Sequence, residues 1–170
     1  MNVEQSEHIS NAHEMKILTV LRGIIYNTNM SQFGIVIDTN VLVAALRSNR
    51  GASHKLLLLI DSGLFDICVS VPLVLEYEAV VKRQIKDTAL TEDDMEAILD
   101  YICAVAQSKK IHYLWRPNLP DPDDDMVLEL AVAAGCTYIV TFNIQDFVEA
   151  EGFGVKIVTP KEFLKIIGAW

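Results

Sequence analysis

Four carboxylates occupy five positions at Asp121-Pro122-Asp123-Asp124-Asp125, directly before an apolar helical run. Two further acids stand alone at the ends of apolar segments. Asp38 follows Gly34-Ile35-Val36-Ile37, and Glu76 follows Val71-Pro72-Leu73-Val74-Leu75. Carboxylates are hard oxygen donors, and a few of them with several waters satisfy Mg²⁺ or Mn²⁺. The pattern therefore has the components of a divalent-metal site. Each residue also has a simpler reading. Asp38 can cap the next helix, Glu76 can face solvent, Asp121 can be an N-cap, and Asp123 to Asp125 suit a helix dipole. Asn143 and Asp146 are good turn formers. Joint placement at one edge of a fold is what distinguishes chemistry from capping.

The elements that would position these acids alternate in type from Gly34 onward. Gly34–Asp38 reads as a short buried strand. Asn40–Leu46 and Ala52–Ser62 read as helices, and Phe65–Ser70 as a second strand. Pro72 suits the first turn of a helix running to about Lys86. Acids at Glu92, Asp93 and Asp94 open another helix, which continues to about Ser108. Ile111–Leu114 reads as a strand, and Pro122–Ala134 as a helix ended by Gly135. Thr137–Thr141 and Val155–Val158 read as strands. Thr159-Pro160-Lys161-Glu162 spells a capping box for a last helix. Such alternation predicts an α/β fold of three α/β/α layers around a mostly parallel sheet of about five strands. Ligands of such sheets bind beyond the carboxyl ends of the strands. Asp38, Glu76, Asp121, Asp124, Thr141, Asn143 and Asp146 can all converge there.

Bulk composition sets the limits. The 170 residues suit one domain, with 51% hydrophobic and 22% charged residues giving a packed globule rather than disorder. A net charge of −9 argues against simple electrostatic coating of nucleic acid. Bound metal and local basic patches can still offset acids where a substrate sits. Cys68, Cys103 and Cys136 are widely spaced, which excludes a structural zinc pattern and points to a reducing cytoplasm. No signal peptide or membrane span is legible.

Four segments in order together resemble the PIN domain, the nuclease module of many bacterial toxin–antitoxin systems. Ile35-Val36-Ile37-Asp38-Thr39-Asn40 resembles its opening, and Val69-Ser70-Val71-Pro72-Leu73-Val74-Leu75-Glu76-Tyr77 its second acidic motif. Asp121 to Gly135 is similar to its third, and Thr141-Phe142-Asn143 to its closing Thr-x-Asp/Asn. The match runs from residue 34 to about 165. The resemblance implies a Mg²⁺- or Mn²⁺-dependent endoribonuclease, a cognate antitoxin and a homodimer. It assigns Asp38, Glu76 and Asp124 as catalytic and metal-binding acids. Asp124 is taken over Asp125 because it lies eleven residues before Gly135, the family spacing. Asn143 stands where the family often has an acid, so the fourth position falls either to Asn143, as a metal ligand, or to Asp146, as a catalytic acid. Asn40, Asp121 and Thr141 support the site. A metal in such a site lowers the pKa of bound water and so supplies a nucleophile near neutral pH.

Single-stranded RNA needs cations and stacking surfaces. Arg47 and Arg50 follow Asp38 most closely and form the favoured pair. Lys109, Lys110 and Arg116, interleaved with Tyr113 and Trp115, form a second candidate stretch. Residues 1–33 read as an N-terminal extension ahead of a domain spanning 34–170. Met15–Tyr26 is either poorly ordered or a docking helix. Two other functions compete: a catalytically inactive PIN-like protein-binding module, and a haloacid-dehalogenase-type phosphatase. The phosphatase would need an acid where Asn40 stands.

Overall fold

The computed structural model describes residues 33–84, 90–112, 119 and 122–170. The extension before Phe33, the aromatic-basic stretch Tyr113–Arg116 and Asp121 lie outside them. Among the described residues, five strands form one parallel sheet in the order β3-β2-β1-β4-β5. They are β1 (Gly34–Ile37), β2 (Asp66–Val69), β3 (Gln107–Ser108), β4 (Tyr138–Val140) and β5 (Lys156–Val158). The helices are α1 (Thr39–Arg47), α2 (Ala52–Leu58), α3 (Val71–Gln84), α4 (Glu92–Val105), α5 (Pro122–Ala134) and α6 (Pro160–Ile166). A 3₁₀ segment, Ile144–Phe153, joins β4 to β5. The result is the expected three-layer α/β/α fold.

The central strands are buried on both faces, which is why they read as continuous apolar runs rather than alternating ones. Ile35, Val36, Ile37, Ile67, Cys68, Val69, Ile139 and Val140 are all buried. β1 pairs with β2 on one side (Ile35 against Ile67) and with β4 on the other (Ile35 against Tyr138, Ile37 against Val140). Chain order runs outward through β1, β2 and β3, then returns to the other side of β1 for β4 and β5. The reversal lies between β1 and β4. A crevice opens at such a point, because successive connections leave it in opposite directions.

Local chemistry sets most boundaries where the sequence placed them. Thr91 and Asp94 form a capping box opening α4, and Thr159 and Glu162 one opening α6. Ser70 Oγ accepts the Leu73 amide at the start of α3. Gly135 adopts φ +66 and ends α5, with its own N–H on Val132 O and the Cys136 N–H on Ala131 O.

Three expectations need correction. Among the described residues the third strand is Gln107–Ser108: Cys68 and Val69 of β2 pair with Gln107 and Ser108, and Lys109 N–H donates to Val69 O. Of the expected strand Ile111–Leu114, Ile111 and His112 are not strand, and the rest lies outside the described residues. α4 accordingly ends at Val105, short of Ser108. Ile111 carries the stronger β propensity, but pairing with β2 decides the strand. Ala52–Ser62 also shortens. The helix stops at Leu58, and the chain turns through Ser62, whose hydroxyl donates to Leu59 O, and through Gly63 at φ +77.

Candidate functional site

Asp38 leaves the end of β1 and becomes the N-cap of α1. Its amide continues the sheet by donating to Val140 O at 2.9 Å, so the backbone is fixed before the side chain is considered. The carboxylate is buried. Its Oδ2 accepts from Asn40 Nδ2 at 2.6 Å and from the Thr141 hydroxyl at 2.5 Å. Its Oδ1 has the longer contact to Asn40 N–H, at 3.4 Å. Burial pushes the Asp38 carboxyl above the usual carboxylate range, and hydrogen bonds from Thr141, Asn40 and the Thr39 amide only partly offset this. Asp38 therefore caps α1 and also places a buried carboxylate at the switch point between β1 and β4.

Asn40 and Thr141 hold this arrangement from two elements. Asn40 Nδ2 also donates to Thr141 Oγ1 at 3.1 Å, and Asn40 Oδ1 accepts the Phe142 amide at 3.2 Å. Thr141 Oγ1 accepts the Asn143 amide at 3.0 Å. The N-terminus of α1 is thereby bound to the end of β4. Both residues were expected to support the site, and both contact Asp38.

Glu76 stands half-buried on α3. Leu73, Tyr77 and Val81 form that helix's buried stripe at helical spacing, and Glu76 flanks it. The Tyr77 hydroxyl donates to Ile37 O, immediately before Asp38. Burial, first, and then the nearby charges of Asp38 and Glu76 push the Tyr77 phenol well above its ordinary range. Both carboxylates therefore act on one phenol at the end of β1. Tyr77 was not singled out from the sequence; its position beside Glu76 in an apolar helix is the signal that could have found it.

α5 runs antiparallel to the strands and packs on β1, β2 and β4 before turning through Gly135 into β4. Its N-terminus consequently faces the carboxyl end of the sheet. Asp124 lies in the first turn, half-buried. Asp125 is buried and accepts the Leu119 amide at 2.9 Å, a structural task that ties the preceding chain to the helix. Glu129, one turn beyond Asp125, is also buried and was not anticipated.

The remaining candidates are less central. Asn143 is exposed just beyond β4 and makes no capping bond with its side chain. Asp146, half-buried, opens the 3₁₀ segment, its amide donating to Asn143 O. Arg47 and Arg50 are exposed. α1 begins at the site and runs away from it, so Arg47 sits about 13 Å from Asp38 at 1.5 Å per residue. Proximity in sequence along a helix is distance in space. Lys109 and Lys110, exposed just past β3, share the carboxyl edge with Asp38, about 10 Å across two strand spacings.

Among the described residues, no three acid, histidine or cysteine side chains gather closely enough to hold an ion. Asp38, Glu76 and Asp124 are thus brought to one end of the sheet without forming a coordination cluster. The donor types nevertheless fit a hard divalent cation: carboxylate oxygens with an amide oxygen at Asn143. The buried Asp38 charge is what such a cation would compensate.

A family model described as PIN domain matches residues 34–145. The chain belongs to the PIN-domain family. Among solved structures, the PIN fold here is similar to a chain of VapBC2 from Rickettsia felis bound to a DNA fragment from their promoter. The TM-score is 0.51 at 16% identity, covering 73% of this chain and 96% of that one. No curated protein matches this PIN-domain chain. Among the described residues, no helix is long and apolar enough to cross a membrane.

Proposed function

We propose that this chain is a Mg²⁺- or Mn²⁺-dependent endoribonuclease that hydrolyses single-stranded RNA, acting as the toxin of a toxin–antitoxin pair. One observation carries the reading. A buried carboxylate, Asp38, is held at the switch point between β1 and β4 by Asn40 and Thr141, and it shares the Tyr77 phenol's field with Glu76. A fold needing only a helix cap has no use for a buried charge so arranged, because burial raises its cost.

In this reading Asp38, Glu76 and Asp124 would hold the metal, with Asn143 as a neutral fourth donor. The bound ion would supply activated water at neutral pH. The protein's own part is positional. Thr141 and Asn40 orient Asp38, and their hydrogen bonds favour its charged form against the cost of burial. Asp146, if it serves as the fourth acid, stands one turn beyond Asn143. Lys109 and Lys110 would receive the phosphate chain near the site, and Arg47 and Arg50 would meet it farther out.

The family membership supports nuclease chemistry. The likeness to the VapBC2 chain supports a protein partner by analogy of fold only. A groove of about 650 Å³ between α1, α2 and α4 offers an apolar seat for an antitoxin, lined by Leu46, Leu57, Leu58, Ile98 and Tyr101. Leu58 is 73% exposed there. Residues 34–170 would form the nuclease domain, with homodimerisation and the role of residues 1–33 tested by deletion. Incubating the purified protein with mixed RNAs in Mn²⁺ or EDTA, beside Asp38→Asn, tests the activity. Cleavage in Mn²⁺ alone, lost in the variant, supports it. Equal cleavage by the variant, or correct folding with none by the wild type, rejects it.

A further inference from the structure

We infer that Phe142 is a nucleobase-stacking subsite beside the acidic centre, selecting strands whose bases are unpaired. The inference rests on the nuclease reading above and names how that site would tell one RNA from another. Phe142 follows Thr141 at the end of β4, yet it is 49% exposed while Thr141 is fully buried. Its backbone is fixed on every side. The Thr141 amide donates to Val158 O at 3.0 Å, the Phe142 amide to Asn40 Oδ1 at 3.2 Å, and the Asn143 amide to Thr141 Oγ1 at 3.0 Å. The residue that receives the Phe142 amide is the one that holds Asp38.

A half-exposed phenylalanine in a turn is out of place by composition, since turns favour Gly, Pro, Asn, Asp and Ser. The core does not account for it. The rings of Phe33, Phe65, Tyr138 and Phe163 pack together at the amino end of the sheet, away from Phe142. Ile144, 39% exposed two residues on, widens the apolar surface. A half-exposed ring on a backbone tied to Asn40, the residue that holds Asp38, offers a π-face to a base and no hydrogen-bonding group. It can therefore read whether a base is unstacked, but not which base it is. Duplex bases have both faces covered and cannot reach it.

The test uses full-length protein and a short phosphorothioate RNA, single-stranded or annealed, in Mg²⁺. Phe142→Ala and Phe142→Leu should each weaken single-strand binding roughly tenfold, the scale of losing one stacked base. Duplex binding should not change. Phe142→Trp should retain affinity, and its added indole emission should fall as the single strand saturates. Leucine binding as well as phenylalanine, or an indole emission indifferent to bound single strand, overturns the inference while leaving the nuclease intact. A wild type that binds no RNA with or without metal removes the nuclease reading, and the subsite with it.

Discussion

At the amino end of the sheet, the strands begin among rings. Phe33 meets Tyr138 with centroids 5.5 Å apart, Phe65 meets Phe163 at 5.3 Å, and Tyr138 meets Phe163 at 5.5 Å, all edge-on. At the carboxyl end the same strands finish on Asp38, Ser70 and Thr141, beside a phenol under two acidic charges and an exposed phenylalanine. One end gains from every contact, since edge-to-face rings contribute beyond their buried area. The other holds a carboxylate that burial disfavours in its charged form. The difference teaches that one short sheet keeps its ring packing and its buried carboxylate at opposite ends. Substitutions at the two ends should separate folding from cleavage.

The largest effect belongs to the acids. Asp38→Asn or Glu76→Gln should cut Mn²⁺-dependent cleavage by at least about 10²–10³-fold, the range for removing one transition-state electrostatic contact. The Asp38 carboxyl titrates higher in the folded state than in the unfolded one. Its contribution to stability is therefore full below the unfolded pKa and is lost as pH rises through the folded pKa. Asp38→Asn removes that loss, so the melting temperature in EDTA at neutral pH should be unchanged or higher. A large fall would make Asp38 a structural cap alone.

Phe163→Ala makes the opposite test. It removes a fully buried ring at the amino end and should cost about 3–5 kcal/mol in urea unfolding. Cleavage per folded molecule should stay at the wild-type level. A variant that stays folded but loses activity would show that the two ends are coupled.

Thr141→Val should act more mildly, by roughly 10–100-fold in activity, as expected for a group that orients a ligand. The Thr141 hydrogen bond lowers the Asp38 pKa, so its loss should raise that pKa further. The acidic limb of the pH–rate profile should then move to higher pH. An unmoved limb would mean that Asp38 does not govern it.

The smallest effect is at Gly135, where φ is +66 and an added Cβ would meet nothing within 4 Å. Gly135→Ala should cost about 1 kcal/mol or slightly more, from backbone conformation alone. Cleavage should not change, although this turn leads into β4.

Much of this was legible without coordinates because it is local. The capping boxes at Thr91 and Thr159, the glycine stop at Gly135 and the doubly buried strands all follow from short-range sterics and hydrogen bonding. The alternation of elements determined the α/β class, and four motifs in order, three of them acidic, pointed to the family. Tertiary structure decided what depends on partners distant in sequence. Gln107–Ser108 is the third strand because β2 pairs with it, against local propensity. Asp125, rather than Asp124, carries the Leu119 amide because α5 docks where it does. Lys109, not Arg47, shares the edge with Asp38, since a strand ends at the site while a helix leads away from it. Tyr77 and Phe142 acquire meaning only when Ile37 and Asn40 arrive from elsewhere in the chain to bind them. A sequence records which groups are present and which local turns they favour. Burial and long-range contacts decide which of those groups stand together.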